Sequence, residues 1–91
     1  MDAELKSLIE SDPRYRTVLR AVVENPYIER HRLAEATGLS EEDLEGLLSA
    51  LAERMVVLEL TSQADSSVES RVPKKVYLVN PELEEAVRAL L

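Results

Sequence analysis

The chain has 91 residues, and its 45% hydrophobic and 32% charged content is typical of a small globular domain rather than a disordered segment. It contains no cysteine, which excludes disulfides and thiolate chemistry, and no apolar run approaches the roughly 18 residues that span a membrane. The net charge of −7 is unusual for a protein that binds nucleic acid.

The first half of the chain predicts four helices, because apolar side chains recur there at spacings of three and four residues. The predicted ranges are 3–10, 13–25, 30–37 and 41–54. Asp12 caps the second helix, Pro13 suits its first position, and the pair Asn25-Pro26 ends it. Residues 27–29 then leave room for a short extended segment.

A tight turn is predicted between the third and fourth helices. Gly38 suits the left-handed conformation that ends a helix, and Leu39 fills the corner of the turn. Ser40 caps the fourth helix, with Asp43 at the third position as a weaker version of the capping box.

The second half of the chain predicts a hairpin and a closing helix. Residues 55–61 alternate in polarity and residues 75–79 form an apolar run, and both patterns predict a strand. The polar residues 62–72 form the predicted loop between the two strands. The pair Asn80-Pro81 repeats the cap-plus-proline start of a helix. The predicted ranges are 55–61 and 75–79 for the strands and 81–90 for the helix.

This order of elements accompanies a spaced pattern of small, turn-forming and apolar residues: Leu33-Ala34-x-x-Thr37-Gly38-Leu39-Ser40-x-x-x-Leu44-x-x-Leu47-x-x-Leu51. The pattern resembles the helix-turn-helix of winged-helix proteins such as the MarR-type and ArsR-type regulators, over roughly residues 13–80. The resemblance implies a mainly α fold with a β-hairpin, in which a three-helix core precedes a two- or three-stranded wing. Extra N- and C-terminal helices would complete a single domain over residues 1–91.

In DNA-binding members of these families, the helix after the turn enters the major groove. This recognition helix corresponds to residues 41–54, and its outward face consists of Glu42, Glu45, Gly46, Ser49 and Glu53. Carboxylates there would meet phosphates, and a glutamate that contacts cytosine needs basic neighbours to hold the DNA backbone. The face is therefore either a solvated surface, favoured by the dipole at the helix start, or a docking surface for a protein.

Two basic stretches favour DNA binding instead, one at the start of the first helix of the motif and one flanking the hairpin. Their members are Arg30, His31, Arg32, Arg71, Lys74 and Lys75. The resemblance implies that these residues contact phosphates or the minor groove of double-stranded DNA. The alternative is that they keep an acidic domain soluble and pair with its glutamates, which is the interpretation we favour for Arg16 and Arg20.

No residue pattern predicts catalysis or a cofactor. His31 is the single histidine, and without cysteine it cannot build a plausible zinc site. Neighbouring glutamates diverge on their helices, and the chain has no glycine-rich phosphate loop. We therefore expect a protein that is not an enzyme and holds no metal. The polar start, MDAELKS, does not resemble a signal peptide, so we expect a cytoplasmic protein without membrane contact.

The terminal helices each carry an apolar stripe, and a core this small favours their use in a homodimer. The stripes consist of Leu5, Leu8, Ile9, Leu83, Val87 and Leu90. The alternative is that both helices complete the core of one chain. Two functions remain open: a dimeric DNA-binding transcriptional regulator, and a winged-helix protein-interaction module that binds no DNA. The commonest use of the fold favours the first.

Overall fold

The computed structural model describes residues 2–62 and 74–91. Within these ranges the chain forms five helices and three strands: α1 Asp2–Ser11, α2 Pro13–Glu24, β1 Ile28–Glu29, α3 Arg30–Thr37, α4 Glu41–Glu53, β2 Val57–Ser62, β3 Lys74–Val79 and α5 Glu84–Leu90. The strands form one antiparallel sheet in the order β1-β3-β2. The predicted mainly α fold with a β-hairpin is confirmed, and its wing has three strands.

The apolar stripes of the helices meet one face of the sheet in a single hydrophobic core. Because the chain has no Phe or Trp, leucine and valine supply most of this core, and Tyr77 is the largest fully buried side chain among the described residues. Burial of each such aliphatic side chain contributes ~1.5–3 kcal/mol before the entropy of ordering the chain is subtracted. The fully buried aliphatic residues are Ile9, Val18, Leu19, Val22, Leu33, Leu44, Leu51, Val57, Val79 and Val87.

The turn between α3 and α4 has the predicted geometry. Gly38 adopts φ 74°, and its N–H donates to the Ala34 carbonyl over 2.9 Å. The Ser40 hydroxyl then accepts from the Asp43 N–H over 3.2 Å and caps α4. The left-handed glycine and the cap set the angle between the two helices of the motif.

The junction between α4 and β2 differs from the prediction, since α4 ends at Glu53 and β2 begins at Val57. Met55 adopts φ 60°, its N–H donates to the Ala52 carbonyl, and the Val56 N–H donates to the Leu51 carbonyl. This is the hydrogen-bond pattern of a Schellman motif, with methionine where glycine is usual. The observed ends lie one and two residues from the approximate bounds predicted at 54 and 55, and no glycine marks the left-handed turn between them.

The closing helix also begins later than predicted, at Glu84 rather than at position 81. Asn80 does accept a backbone N–H, from Glu82 over 3.0 Å, but its amide nitrogen donates to the Met55 carbonyl over 2.8 Å. Its side chain therefore binds the α4–β2 junction, and residues 81–83 form a turn before the helix. No described helix is long and apolar enough to cross a membrane.

The strand register decides which side chains of the sheet face the core. Val57 lies opposite Val79 and Glu59 lies opposite Tyr77, and cross-strand partners share one face of a sheet. Val57, Val79 and Tyr77 are each 1% exposed, so this face packs on the helices. Glu59 consequently lies on the same side of the sheet as the core, but it is exposed and so lies beyond the buried residues.

Candidate nucleic-acid interface

The recognition helix, observed as α4, exposes the acidic face that its sequence predicts. Glu42, Glu45, Gly46, Ser49 and Glu53 are all exposed. Its first turn holds three acidic residues, where the positive end of the helix dipole stabilises negative charge. A duplex that approached the outward face of α4 would contact carboxylates before it contacted any cation.

The pairing of β1 with β3 brings the two basic stretches of the sequence together. Glu29 lies opposite Val76 in this antiparallel pair. Arg30 follows Glu29 along the chain, and Lys75 precedes Val76, so both side chains leave the sheet at the same end of the pair. The start of α3 and the loop end of the β2–β3 hairpin therefore form one composite basic surface, although they are far apart in the sequence.

Arg30 is held by the recognition helix. Its Nη2 lies 3.3 Å from Oε2 of Glu45, and its side chain is 25% exposed while that of Glu45 is 67% exposed. Its Nε atom is buried and has no hydrogen-bond partner in the described structure. This arginine thus lies half inside the molecule, with its outer nitrogen turned toward a carboxylate.

Glu59 holds the corresponding cation of the wing. Its Oε1 lies 3.5 Å from Nζ of Lys75, and its Oε2 accepts from the Tyr77 hydroxyl over 3.3 Å. Burial raises the pKa of the Tyr77 hydroxyl, and the negative charge of Glu59 raises it further, whereas the positive charge of Arg30 opposes the shift. We call Arg30, Glu45, Glu59, Lys75 and Tyr77 the carboxylate–cation cluster.

The other predicted DNA-binding residues have different surroundings. The His31 side chain is 65% exposed, with Nδ1 3.5 Å from Oε2 of Glu29. The Arg32 side chain is exposed and forms no ion pair or hydrogen bond with another described residue. Lys74 begins β3, and only its backbone position is described, while Arg71 lies outside the described residues.

Two arginines of α2, Arg14 and Arg16, have structural roles, whereas the Arg20 side chain is exposed and forms no ion pair or hydrogen bond with another described residue. Arg14 forms an ion pair of 2.7 Å with Asp12, and its side-chain and backbone hydrogen bonds to that carboxylate lower the pKa of Asp12. Arg16 donates from Nε and Nη2 to the Leu90 carbonyl over 3.4 and 3.3 Å. A cation at the last turn of a helix is favourable, so Arg16 joins α2 to the end of α5.

The apolar stripes of the terminal helices are largely used within one chain. Leu5, Ile9 and Val87 are buried in the core, whereas the remaining three residues are partly buried and pack against it. Those three are Leu8, Leu83 and Leu90. Any contact with a second copy would therefore depend on the partly buried residues.

Sequence reasoning found the cations of this surface but missed their partners. Glu45 was assigned only to the outward acidic face, and neither Glu59 nor Tyr77 was assigned to a site. The alternation of β2 could have placed Glu59 on one face with residues 57 and 61, but which strand lies opposite depends on the register.

The chain resembles solved structures in its fold, but it matches no sequence family. No protein-family model and no curated protein matches the chain. The structure resembles the PcaV transcriptional regulator from Streptomyces coelicolor, with 18% identity and a TM-score of 0.67 over 85% of this chain. A second PcaV structure, with its natural ligand, gives the same identity and TM-score over 97% of this chain.

The structure also resembles NadR in complex with 4-hydroxyphenylacetate, with 14% identity and a TM-score of 0.71 over 97% of this chain. The chain spans 52% to 62% of the length of these solved chains. At such low identity the likeness establishes the fold alone. That fold is the winged helix, as the sequence pattern predicts.

Proposed function

We propose that this winged-helix chain is part of a transcriptional regulator that binds double-stranded DNA through the start of α3 and the wing. The proposed contacts are Arg30, His31, Arg32, Arg71, Lys74 and Lys75. The acidic recognition helix contributes little to affinity in this proposal, so the interface binds mainly the DNA backbone. Phosphate contacts position a protein on the duplex and supply most of its non-specific affinity.

The observation that supports this proposal best is the juxtaposition created by the β1–β3 pair. It places the cations that open α3 beside those that open β3. The first turn of α3 has no acidic residue, and the side chain of its N-cap residue, Glu29, does not cap it, so the positive end of the helix dipole adds to the potential there. A phosphate at this surface would contact guanidinium and ammonium groups together with the positive end of a helix.

A matched pair of arginine variants tests the interface. Arg32→Ala removes an exposed cation at the start of α3, and Arg88→Ala removes one from α5, where Arg88 pairs with Glu84. Both substitutions change the net charge equally. We expect Arg32→Ala to weaken binding to a mixed-sequence duplex and to reduce the salt slope by ~0.9, whereas Arg88→Ala leaves the slope unchanged. Fluorescence anisotropy over a series of salt concentrations measures both; equal effects would contradict the proposed interface.

We further propose that two copies pair through the outer edges of α1 and α5. Leu8, Leu83 and Leu90 are partly buried there and pack at the margin of the core. An apolar groove between the helices, lined by residues such as Ala3, Ala86 and Ala89, adds to this surface. Two-fold pairing would place two α3–wing surfaces on one duplex.

A second candidate function rests on the outward face of α4. This face carries Glu42, Glu45 and Glu53 without a lysine or arginine on the helix itself. Such a surface complements a basic protein partner better than it complements phosphate. A folded chain that fails to bind any duplex at low salt would favour this protein-interaction function over DNA binding.

A further inference from the structure

We propose that Glu45 and Glu59 compete with DNA phosphate for Arg30 and Lys75, so that these two carboxylates limit the affinity of the interface from within. The inference rests on the proposed DNA-binding function and names a control of the same site. In the free protein each cation contacts a carboxylate, through Arg30–Glu45 at 3.3 Å and Lys75–Glu59 at 3.5 Å. A phosphate that binds there takes the place of the carboxylate.

The exposure of both carboxylates allows phosphate to replace them at their cations. The side chain of Glu45 is 67% exposed, and those of Glu59 and Lys75 are 42% and 50% exposed. Ion pairs open to solvent are weak, because water screens the charges and the side chains lose rotational freedom in holding one geometry. Each carboxylate can therefore turn into solvent while its cation remains near the DNA.

The placement of the carboxylates makes the competition specific. Each one comes from an element different from that of its cation: Glu45 from α4 against Arg30 of α3, and Glu59 from β2 against Lys75 of β3. Arg30 stays close to the surface whichever partner it holds, since its Nε is buried and only part of its side chain reaches solvent. The cation is thus fixed while its partner can be exchanged.

The positive and negative charges of the carboxylate–cation cluster offset one another. Arg30 and Lys75 supply two positive charges, and Glu45 and Glu59 supply two negative charges, with Tyr77 neutral between them. In the free protein the charges of Arg30 and Lys75 are therefore offset by two carboxylates. Neutralising one carboxylate should uncover one cation without moving any backbone.

The test compares isosteric variants that change the net charge by the same amount. Glu45→Gln and Glu42→Gln lie on the same helix, but Glu42 is exposed and has no ion pair among the described residues. Binding of a fluorescent mixed-sequence duplex is measured by anisotropy at ~100 mM salt. We expect Glu45→Gln to tighten binding at least threefold more than Glu42→Gln, a ratio on the order of the loss of one exposed ion pair.

Glu59→Gln provides a second arm, because glutamine keeps an oxygen that accepts from the Tyr77 hydroxyl while the charge on Lys75 is released. It should tighten binding more than Glu42→Gln does. In the background of Arg30→Gln, adding Glu45→Gln should tighten binding no more than Glu42→Gln tightens binding of the wild type, since the cation that Glu45 would release is then absent.

The outcomes separate the two proposals. If the wild-type chain binds DNA and all three glutamine variants tighten binding equally, net charge alone is responsible and the competition is overturned. If the wild type binds and Glu45→Gln and Glu59→Gln each tighten binding more than Glu42→Gln does, the competition is supported. If no folded variant binds at any salt concentration, the proposed function is overturned and this inference with it. Circular dichroism checks that each variant is folded.

Discussion

Tyr77 is where the hydrophobic core meets the charged surface. Its side chain is 1% exposed, yet its hydroxyl reaches the Glu59 carboxylate over 3.3 Å. A buried hydroxyl without a partner costs free energy, so this contact satisfies the donor and holds the carboxylate near Lys75 at the same time. One residue of β3 thus anchors the core and orients a charge at the interface.

The raised pKa of Tyr77 has a consequence for stability. Burial and the charge of Glu59 lift the pKa of the Tyr77 hydroxyl above its ordinary value of 10.0. At a pH between the unfolded and folded pKa, the folded chain retains a proton that the unfolded chain has lost. The stabilisation is therefore complete below pH ~10 and is lost as the pH rises through the folded pKa.

We predict that Tyr77→Phe removes this part of the alkaline loss of stability. The chain has three tyrosines, so the difference between wild-type and variant tyrosinate absorbance isolates the titration of Tyr77. Its midpoint should lie above the ordinary value of 10.0. A midpoint at or below that value would contradict the buried environment described for this hydroxyl.

Single residues show where sequence reasoning reached its limit. The cations at 30–32 and at 74–75 were identifiable by residue type alone. Their carboxylate partners were not, because Glu45 lies on another helix and Glu59 on another strand. Ion pairs between elements depend on helix angle and strand register, which local spacing does not specify.

Two left-handed residues determine how α4 is joined at each end. Gly38 precedes it with φ 74°, and Met55 follows it with φ 60°. Glycine adopts this conformation without steric cost, whereas a residue with a Cβ is strained by roughly 1–2 kcal/mol. Gly38 made the turn before α4 predictable from the sequence. The turn after α4 was not predictable, because methionine rarely adopts a left-handed conformation.

The two glycines of the chain should respond oppositely to the same substitution. A Cβ at Gly38 or at Gly46 would meet no atom within 4 Å, so only backbone conformation separates the sites. We expect Gly38→Ala to lower the free energy of unfolding by ~1 kcal/mol because of its left-handed φ. Gly46→Ala, inside α4, should raise it by ~0.5–1 kcal/mol.

Urea unfolding monitored by circular dichroism measures both changes in the free energy of unfolding. Two shifts of the same sign would contradict the assignment of Gly38 to the helix end or of Gly46 to the interior of α4. The pair also controls for the loss of glycine flexibility in the unfolded chain, since both substitutions restrict it similarly.

A helix or strand was predictable where the spacing of its apolar residues agreed with the capping or turn residues at its ends. The bounds of α3, Arg30–Thr37, match the range predicted from the inward-facing Leu33 and Ala34 and from the glycine that follows the helix. The start of α5 was misplaced because Asn80 binds the distant Met55 carbonyl as well as the chain beside it. A cap residue that contacts a second element cannot be recognised from the residues around it.

The whole molecule combines an acidic chain with a local basic surface. The net charge of −7 repels DNA at long range. At contact distance, the cations at the start of α3 and at the loop end of the β2–β3 hairpin attract it. Raising the salt concentration weakens both effects, but the contacts release condensed counterions from the duplex and so dominate the salt dependence. We therefore expect modest affinity with a clear dependence on salt.

The salt dependence of duplex binding by the wild-type chain is the sharpest test of DNA binding through α3 and the wing. A short mixed-sequence duplex is titrated with protein at several salt concentrations from ~50 mM upward. A surface that engages two to four phosphates predicts a slope of about −2 to −4 for log K against log salt concentration. The absence of binding at ~50 mM salt by a folded chain, or binding that salt leaves unchanged, would contradict the account.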